Sequence, residues 1–355
     1  MFSRKLVPLI FIIVGSLFIV ACGSAQQDQS NQQAEMMNSQ TDADHEDTAV
    51  TDLAPVTLAD GEKLQVVATS NIIGDMIRNV SGDLVELTIL MPPGSDPHAF
   101  QPAPQDAAAV ADADVVFANG LNFEEFLDEL IANAGGEAVA IRVANGVEAQ
   151  AFDKDDEEHA EDEHHEEGDE HSEADHHHHD GVDPHAWMTP YNALVYVYNI
   201  ETALSALDPA HAETYQANAE AYKAQLEDLD RWVFEQVETI PPENREMVTD
   251  HDAFGYYADR YGLEIVGAVI PSYSTAAEPS AQEMAKLQEA IAEFDTPALF
   301  VGTSVNPTLA EQVAADTGTQ LVPLYTGSLG PAGSGAETYI DYIRYNTKAI
   351  VDALK

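Results

Sequence analysis

The stretch KLQVVATSNIIGDMIRNV, residues 63–80, contains both kinds of regular element that the rest of the chain repeats. KLQVVAT (63–69) is a short apolar run, which is typical of a buried strand. NIIGDMIRNV (71–80) then spaces its large apolar residues at the period of a helix. These residues are Ile72, Ile73, Met76, Ile77 and Val80. A strand followed at once by a helix is the unit of an α/β fold.

The same alternation extends through both halves of the chain. In the first half, strands are predicted at 84–90, 114–119 and 138–143, and helices at 104–111 and 123–133. In the second half, strands are predicted at 246–250, 263–269, 297–303 and 320–324, and helices at 252–261, 280–293, 306–317 and from Glu337. Such alternation predicts two parallel sheets, each covered by helices on both faces.

A helical region, 191–243, separates the two halves. Pro209 is suited to the first position of a long helix that would run to Ile240, about 45 Å at 1.5 Å per residue. The predicted fold class is therefore α/β, with two lobes, each a mainly parallel sheet flanked by helices, joined by one long rigid helix. The predicted lobes are 62–190 and 244–355.

The N-terminus reads as a secretory signal peptide, residues 1–21. Arg4 and Lys5 precede an apolar run from Leu6 to Val20 that is too short for a comfortable membrane span. An uncleaved anchor helix is the alternative. IVAC (19–22) resembles a bacterial lipobox, so we expect Cys22, the single cysteine of the chain, to be lipidated and to anchor the protein outside the cytoplasm. Residues 22–61 are polar and predict a flexible tether.

The chain is strongly acidic, with a formal net charge of −49. Fifteen of its acidic residues lie in the loop 153–180, but the remainder still carries a net charge of −35. Nucleic acid is thereby excluded as a partner, and binding to an anionic membrane surface is disfavoured.

Three histidines follow predicted strands. His98 follows the strand at 84–90, His251 follows the strand at 246–250, and His185 lies at the far end of the long insertion after the last strand of the first lobe. In open α/β sheets, ligands bind beyond the carboxyl ends of the strands. These positions predict a ligand site.

Two of these histidines share the frame Asp-Pro-His-Ala-aromatic, at residues 96–100 and 183–187. Proline fixes its own φ and restricts the residue before it, so the imidazole that follows is held on a rigid backbone. The aromatic residue can shield the site from water. A single histidine in such a loop is more often ordinary, but three in matching loops favour metal ligands. His211 and His45 are interpreted as ordinary.

Four segments of the chain resemble one family of transport proteins. They are DPHAFQPAPQD (96–106), DPHAWMTP (183–190), TDHDAFGYYADRYGL (249–263) and the C-terminal stretch TGTQLVPLYTGSLG…YIRYNTKAIVDAL. The family is that of the metal-binding solute-binding lipoproteins of ABC-type zinc and manganese importers, the cluster A-I proteins. With the order of elements, the resemblance covers nearly all of 62–355. It implies two lobes bridged by one long helix, with the metal buried between them.

The resemblance also implies that His98, His185 and His251 are the histidine ligands of the metal. Manganese-type members usually have a carboxylate at the third position, whereas zinc-type members have histidine, so His251 identifies the chain as zinc-type. Imidazole nitrogens suit Zn²⁺, while Mn²⁺ prefers oxygen ligands. The family's fourth ligand is often an aspartate, but its place here matches Gly327. Water is the preferred fourth ligand, and Asp96 is the alternative.

The loop 153–180 contains eight histidines and almost no apolar residue. They are His159, His164, His165, His171, His176, His177, His178 and His179. This composition predicts a loop that is disordered without metal and that collects zinc weakly near the site. A merely solubilising acidic insertion is the alternative, and an engineered tag is less favoured because the run is internal.

The expected function is capture of Zn²⁺ outside the cytoplasm and its delivery, by a monomer that is not an enzyme, to the permease and ATPase of an ABC importer. Manganese or iron carriage is the alternative within the family, and an adhesin (cell-adhesion) role is left open. From another class, three histidines and water also describe a catalytic zinc in a hydrolase. The chain has no His-Glu-x-x-His motif, which argues against that alternative.

Overall fold

A computed structural model describes residues 53–136, 138–150 and 181–355. The predicted signal peptide, Cys22 and the histidine-rich loop 153–180 lie outside these residues, as does the predicted tether up to residue 52.

In the described residues, the first lobe is a four-stranded parallel sheet with three α-helices. Its elements are β1 (Leu64–Ser70), α1 (Asn71–Ser81), β2 (Val85–Met91), α2 (Pro104–Ala111), β3 (Val115–Ala118), α3 (Leu127–Ala134) and β4 (Val139–Arg142). The strand order is β2-β1-β3-β4. The Ser70 side chain accepts a hydrogen bond from the backbone N–H of Ile73, so the strand passes directly into a capped helix.

Two antiparallel helices follow, α4 (Pro190–Leu207) and α5 (Ala212–Val237). The 26 residues of α5 correspond to about 39 Å. The prediction that this helix begins at Pro209 and ends at Ile240 is wrong at both ends. The Asp208 carboxylate lies 2.7 Å from His211 Nδ1 and accepts a hydrogen bond from the Tyr215 hydroxyl at 2.8 Å. This side chain holds residues 208–211 as a turn, and the helix begins after it.

The second lobe repeats the plan of the first. Its elements are β5 (Glu246–His251), α6 (Gly255–Tyr261), β6 (Glu264–Ile270), α7 (Ala281–Phe294), β7 (Ala298–Gly302), α8 (Thr308–Thr317), β8 (Gln320–Leu324) and α9 (Tyr339–Leu354). The strands are parallel in the order β6-β5-β7-β8. Helix α6 begins three residues later than predicted, because the N–H of Asp252 donates to Ser272 and that of Ala253 to His251.

One hydrophobic core runs through both lobes. It includes buried side chains from both sheets and from the helices between them, for example Leu64, Phe117, Tyr196, Leu226, Phe300 and Tyr342. Within the described residues, none of the helices is both long enough and apolar enough to cross a bilayer. The predicted fold class, two parallel α/β lobes flanked by helices, is confirmed.

Candidate metal centre

The three histidines predicted from the sequence lie together. Their candidate ligand atoms all lie within 4.8 Å of one another. His98 lies in a 3-10 turn, Pro97–Ala99, His185 precedes a second turn, Ala186–Met188, and His251 is the last residue of β5. The Nε2 atoms of His98 and His185 are 3.2 Å apart. Two nitrogens bound to one tetrahedral zinc ion are about 3.3 Å apart, so this spacing suits a shared ion.

The two Asp-Pro-His frames hold their histidines differently. In both, the aspartate accepts a hydrogen bond from the histidine backbone N–H, at 3.1 Å for Asp96 and 2.9 Å for Asp183. Asp183 Oδ1 also lies 2.8 Å from His185 Nδ1 and so orients the ring. Asp96 instead uses its second oxygen to accept a hydrogen bond from the Thr275 hydroxyl, at 2.7 Å.

His251 is oriented by the residue before it. Asp250 Oδ1 lies 3.0 Å from His251 Nδ1 and accepts a hydrogen bond from its backbone N–H at 2.9 Å. The second oxygen of Asp250 accepts the N–H of Gly302 at 2.8 Å. A carboxylate on Nδ1 fixes the tautomer of an imidazole and leaves Nε2 as the ligand atom. His185 and His251 are therefore preorganised in the same way.

Burial makes two of the three imidazoles neutral. Burial, with the nearby His185 and His251, lowers the pKa of His98 to about 2. Burial also lowers the pKa of His185 well below its ordinary value and raises that of Asp183 to about 7. At His251, burial acts to lower the pKa, but the carboxylates of Asp250, Asp252 and Asp96 together outweigh it and the pKa is raised. A metal ion would therefore compete with a proton at His251 more than at the other two.

Aromatic rings surround the cluster. The His98 ring packs edge-on against Phe123, with 5.3 Å between centroids, and His185 lies 5.2 Å from Trp187 and 6.3 Å from Tyr273. Trp187 is the aromatic residue of the second repeated frame. The corresponding Phe100 packs on Phe126 at 5.1 Å, so the shielding role expected of it is taken by Phe123.

Gly327 is in close contact with the turn that carries His98. A Cβ atom built on Gly327 would lie 2.5 Å from Cγ of Pro97, so this packing requires a residue without a side chain. Asp96 is not part of the histidine group, which contains no carboxylate among the described residues. Both Asp96 oxygens already accept hydrogen bonds. The fourth ligand stays a prediction, with water favoured over Asp96.

Sequence reasoning missed Asn119, which follows β3. Its Nδ2 donates to the carbonyl oxygen of Pro184 at 2.9 Å, and its Oδ1 accepts a hydrogen bond from the Tyr196 hydroxyl at 2.5 Å. Asn119 thus holds the peptide bond that leads into His185. Asn119 could have been identified from its position at the carboxyl end of a predicted strand, the same criterion that selected the three histidines. Asp183 and Asp250 could have been identified as the carboxylates that most closely precede their histidines.

The chain is similar to known metal-binding transport proteins over most of its length. Residues 66–353 match the family described as zinc-uptake complex component A, periplasmic, or ZnuA. The manganese-binding lipoprotein MntA of Halalkalibacterium halodurans is 35% identical, over 84% of this chain and 91% of the relative. The manganese ABC transporter substrate-binding lipoprotein PsaA of Streptococcus mitis is 28% identical, over 99% of each chain. The periplasmic zinc-binding protein TroA of Treponema pallidum superposes with a TM-score of 0.71 at 27% identity, covering 82% of this chain and 99% of TroA.

Proposed function

This chain belongs to the ZnuA family of metal-binding substrate-binding proteins of ABC transporters, which are not enzymes, and we propose that its cargo is Zn²⁺. The observation that carries the choice of metal is the donor set. Three imidazoles converge, and no carboxylate joins them among the described residues. Nitrogen donors suit zinc, whereas manganese prefers oxygen.

The preorganised rings support tight binding. His185 and His251 are each about 1% exposed, and each has a carboxylate on Nδ1. Because these rings are already oriented, they lose less conformational freedom when the ion binds. Water completing a tetrahedron is the fourth ligand that we infer, because Gly327 has no side chain and Asp96 is already engaged.

Manganese is the second candidate cargo, favoured by the names of two relatives, MntA and PsaA. The zinc-hydrolase alternative has no support from the family. We further propose that Cys22 carries a lipid anchor, that the protein acts as a monomer outside the cytoplasm, and that it hands the ion to a permease and its ATPase. The histidines of the loop 153–180 would collect zinc weakly near the site.

A competition titration tests the proposed cargo. The chain from Cys22 onward, with Cys22→Ser, is titrated with zinc and with manganese by calorimetry in the presence of a chelator of known affinity. The same titrations are made on a variant without residues 153–180. We expect one tight zinc site in both proteins and much weaker manganese binding.

Three results would contradict this proposal. Tighter manganese than zinc would make manganese the cargo and would require an oxygen ligand. Loss of the tight zinc site on deletion of the loop would place the main site there. A site that survives His185→Ala would show that the three-histidine cluster does not hold the ion.

A further inference from the structure

The three histidines of the metal centre are not held equally. The rings of His185 and His251 each have a buried aspartate on Nδ1. Among the described residues, no hydrogen bond is made to His98 Nδ1, and His98 is the one member of the cluster that is partly exposed. Apart from the packing against Phe123, the position of the His98 ring therefore depends on the backbone turn that carries it.

That turn is connected to the second lobe in two ways. The first connection lies at residues 327–328, where Pro97 packs on Gly327 and the Gly94 N–H donates to Ser328 Oγ at 2.8 Å. Pro97 and Ser328 are buried, whereas Gly94 is exposed. The second connection is the hydrogen bond from the Thr275 hydroxyl to Asp96 Oδ2, between two partly exposed residues.

Thr275 belongs to the loop 271–280 between β6 and α7, which lies next to the metal centre. Tyr273, two residues earlier in this loop, has its ring 6.3 Å from that of His185. The other oxygen of Asp96 accepts the backbone N–H of His98. A single carboxylate thus links the loop of one lobe to the backbone of the ligand on the other.

We propose that Thr275 is a positioning residue for the His98 ligand, and that its hydrogen bond to Asp96 slows the release of the metal ion. This inference rests on the proposed metal-binding function. Breaking this hydrogen bond releases Asp96 from the second lobe. The turn that carries His98 is then held to that lobe only at residues 327–328, while His185 and His251 stay oriented by their own aspartates. His98 then leaves the ion first.

The test compares variants of one loop by their rates of zinc release. Thr275→Val removes the hydroxyl at nearly constant volume, and Thr275→Ser keeps it. Ser274→Ala removes a hydroxyl of the same loop, which accepts the N–H of Ala276 and, among the described residues, makes no hydrogen bond to the other lobe. Zinc-loaded protein is mixed with excess chromogenic chelator in a stopped-flow instrument. We expect release from Thr275→Val to be about 3- to 10-fold faster, the range for loss of one hydrogen bond, with the other two variants within about 2-fold of the parent.

A second comparison separates positioning of His98 from general loosening. In a His98→Ala background, Thr275→Val should have no further effect on release, because the ligand on which it acts is gone. The melting temperature of the metal-free protein is recorded for Thr275→Val and Thr275→Ser, and a fall in Thr275→Val larger than the loss of one hydrogen bond accounts for would indicate general loosening. Unchanged release from Thr275→Val, or equal acceleration with and without His98, would overturn the proposal. If the parent binds no zinc tightly, the proposed cargo fails instead, and the same variants are measured with manganese.

Discussion

Single carboxylates set the orientation of the histidines that we propose as metal ligands. Asp183 uses one oxygen for both the backbone N–H and the ring of His185, whereas Asp96, in the same sequence frame, divides its two oxygens between His98 and Thr275. The difference lies in what each carboxylate can reach in three dimensions. Asp183 is 1% exposed and lies against its own histidine, while Asp96 lies within reach of the opposite lobe.

Removing the Asp183 carboxylate should weaken zinc binding. We expect Asp183→Ala to lose about 10- to 100-fold in affinity, the usual effect of removing the group that orients an imidazole ligand. Competition titration measures it. His211→Ala is the matched control, because it removes another Asp–His contact, at 2.7 Å, that is not part of the metal centre. Equal affinities in all three proteins would mean that the ring of His185 needs no orientation.

A side chain at position 327 should disturb the metal centre. In Gly327→Ala, the new Cβ would lie 2.5 Å from Pro97, so the turn that carries His98 must move. Overpacking of this kind costs about 1–3 kcal/mol. We expect a lower melting temperature and weaker zinc binding, measured by calorimetry, with partial recovery in Gly327→Ala/Pro97→Ala relative to Pro97→Ala alone. Unchanged zinc affinity would show that this contact does not position His98.

The N-terminus of helix α9 is hydrogen-bonded to a side chain from the other lobe. Asp75, on α1, accepts the backbone N–H of Tyr339, the first residue of α9, at 3.0 Å. Such N–H groups have no partner within their own helix, so this contact ties the two lobes together at a helix terminus. Burial raises the pKa of Asp75 despite the opposing effect of this hydrogen bond. The ionised carboxylate is therefore disfavoured in the folded state.

Asp75→Asn should stabilise the protein at neutral pH. With a raised pKa in the folded state, the stabilising contribution of Asp75 is present below its unfolded pKa and is lost as the pH rises through the folded value. An asparagine still accepts the Tyr339 N–H and carries no charge. We expect a higher melting temperature for the variant at pH 8 and no difference near pH 3. Asp83→Asn, which makes the same substitution at an exposed aspartate just beyond the same helix, is the control.

At the scale of the whole molecule, the shared core limits how far the lobes can separate. Leu64 of the first sheet and Met247 of the second belong to one buried cluster with Tyr196 and Leu226 of the helical region. Wide opening of the lobes would expose apolar surface at about 25 cal/mol per Å². Movement on metal binding should therefore be confined to loops, the loop 271–280 among them.

Small-angle scattering should show almost no change in size on metal binding. For a compact protein the length of the two lobes and the helices between them, we expect a radius of gyration of about 19 Å. The radius of gyration should differ by less than about 1 Å between the metal-free and the zinc-loaded protein. The variant without residues 153–180 is measured in parallel, so that any response of the histidine-rich loop is separated from that of the lobes. A change of several ångströms in that variant would contradict the single-core interpretation.

Several features could be derived from the chain alone, because they depend on local order. The period of the apolar residues predicted the sequence of strands and helices, and the positions of His98, His185 and His251 after strands predicted that they would meet. Helix ends were less predictable: Asp208 delays the start of α5 through side-chain contacts with His211 and Tyr215 that no periodicity reveals.

The tertiary structure decided which distant atoms meet. Asp96 bonds Thr275 across 179 positions of sequence, Asn119 holds the carbonyl of Pro184, and Phe123 takes the place expected of Phe100. The residue types at these positions allow many partners, so local patterns cannot select one. The packing of two sheets and two long helices around a shared core brings these side chains within hydrogen-bonding distance, and it thereby sets which of the three proposed ligands is held least firmly.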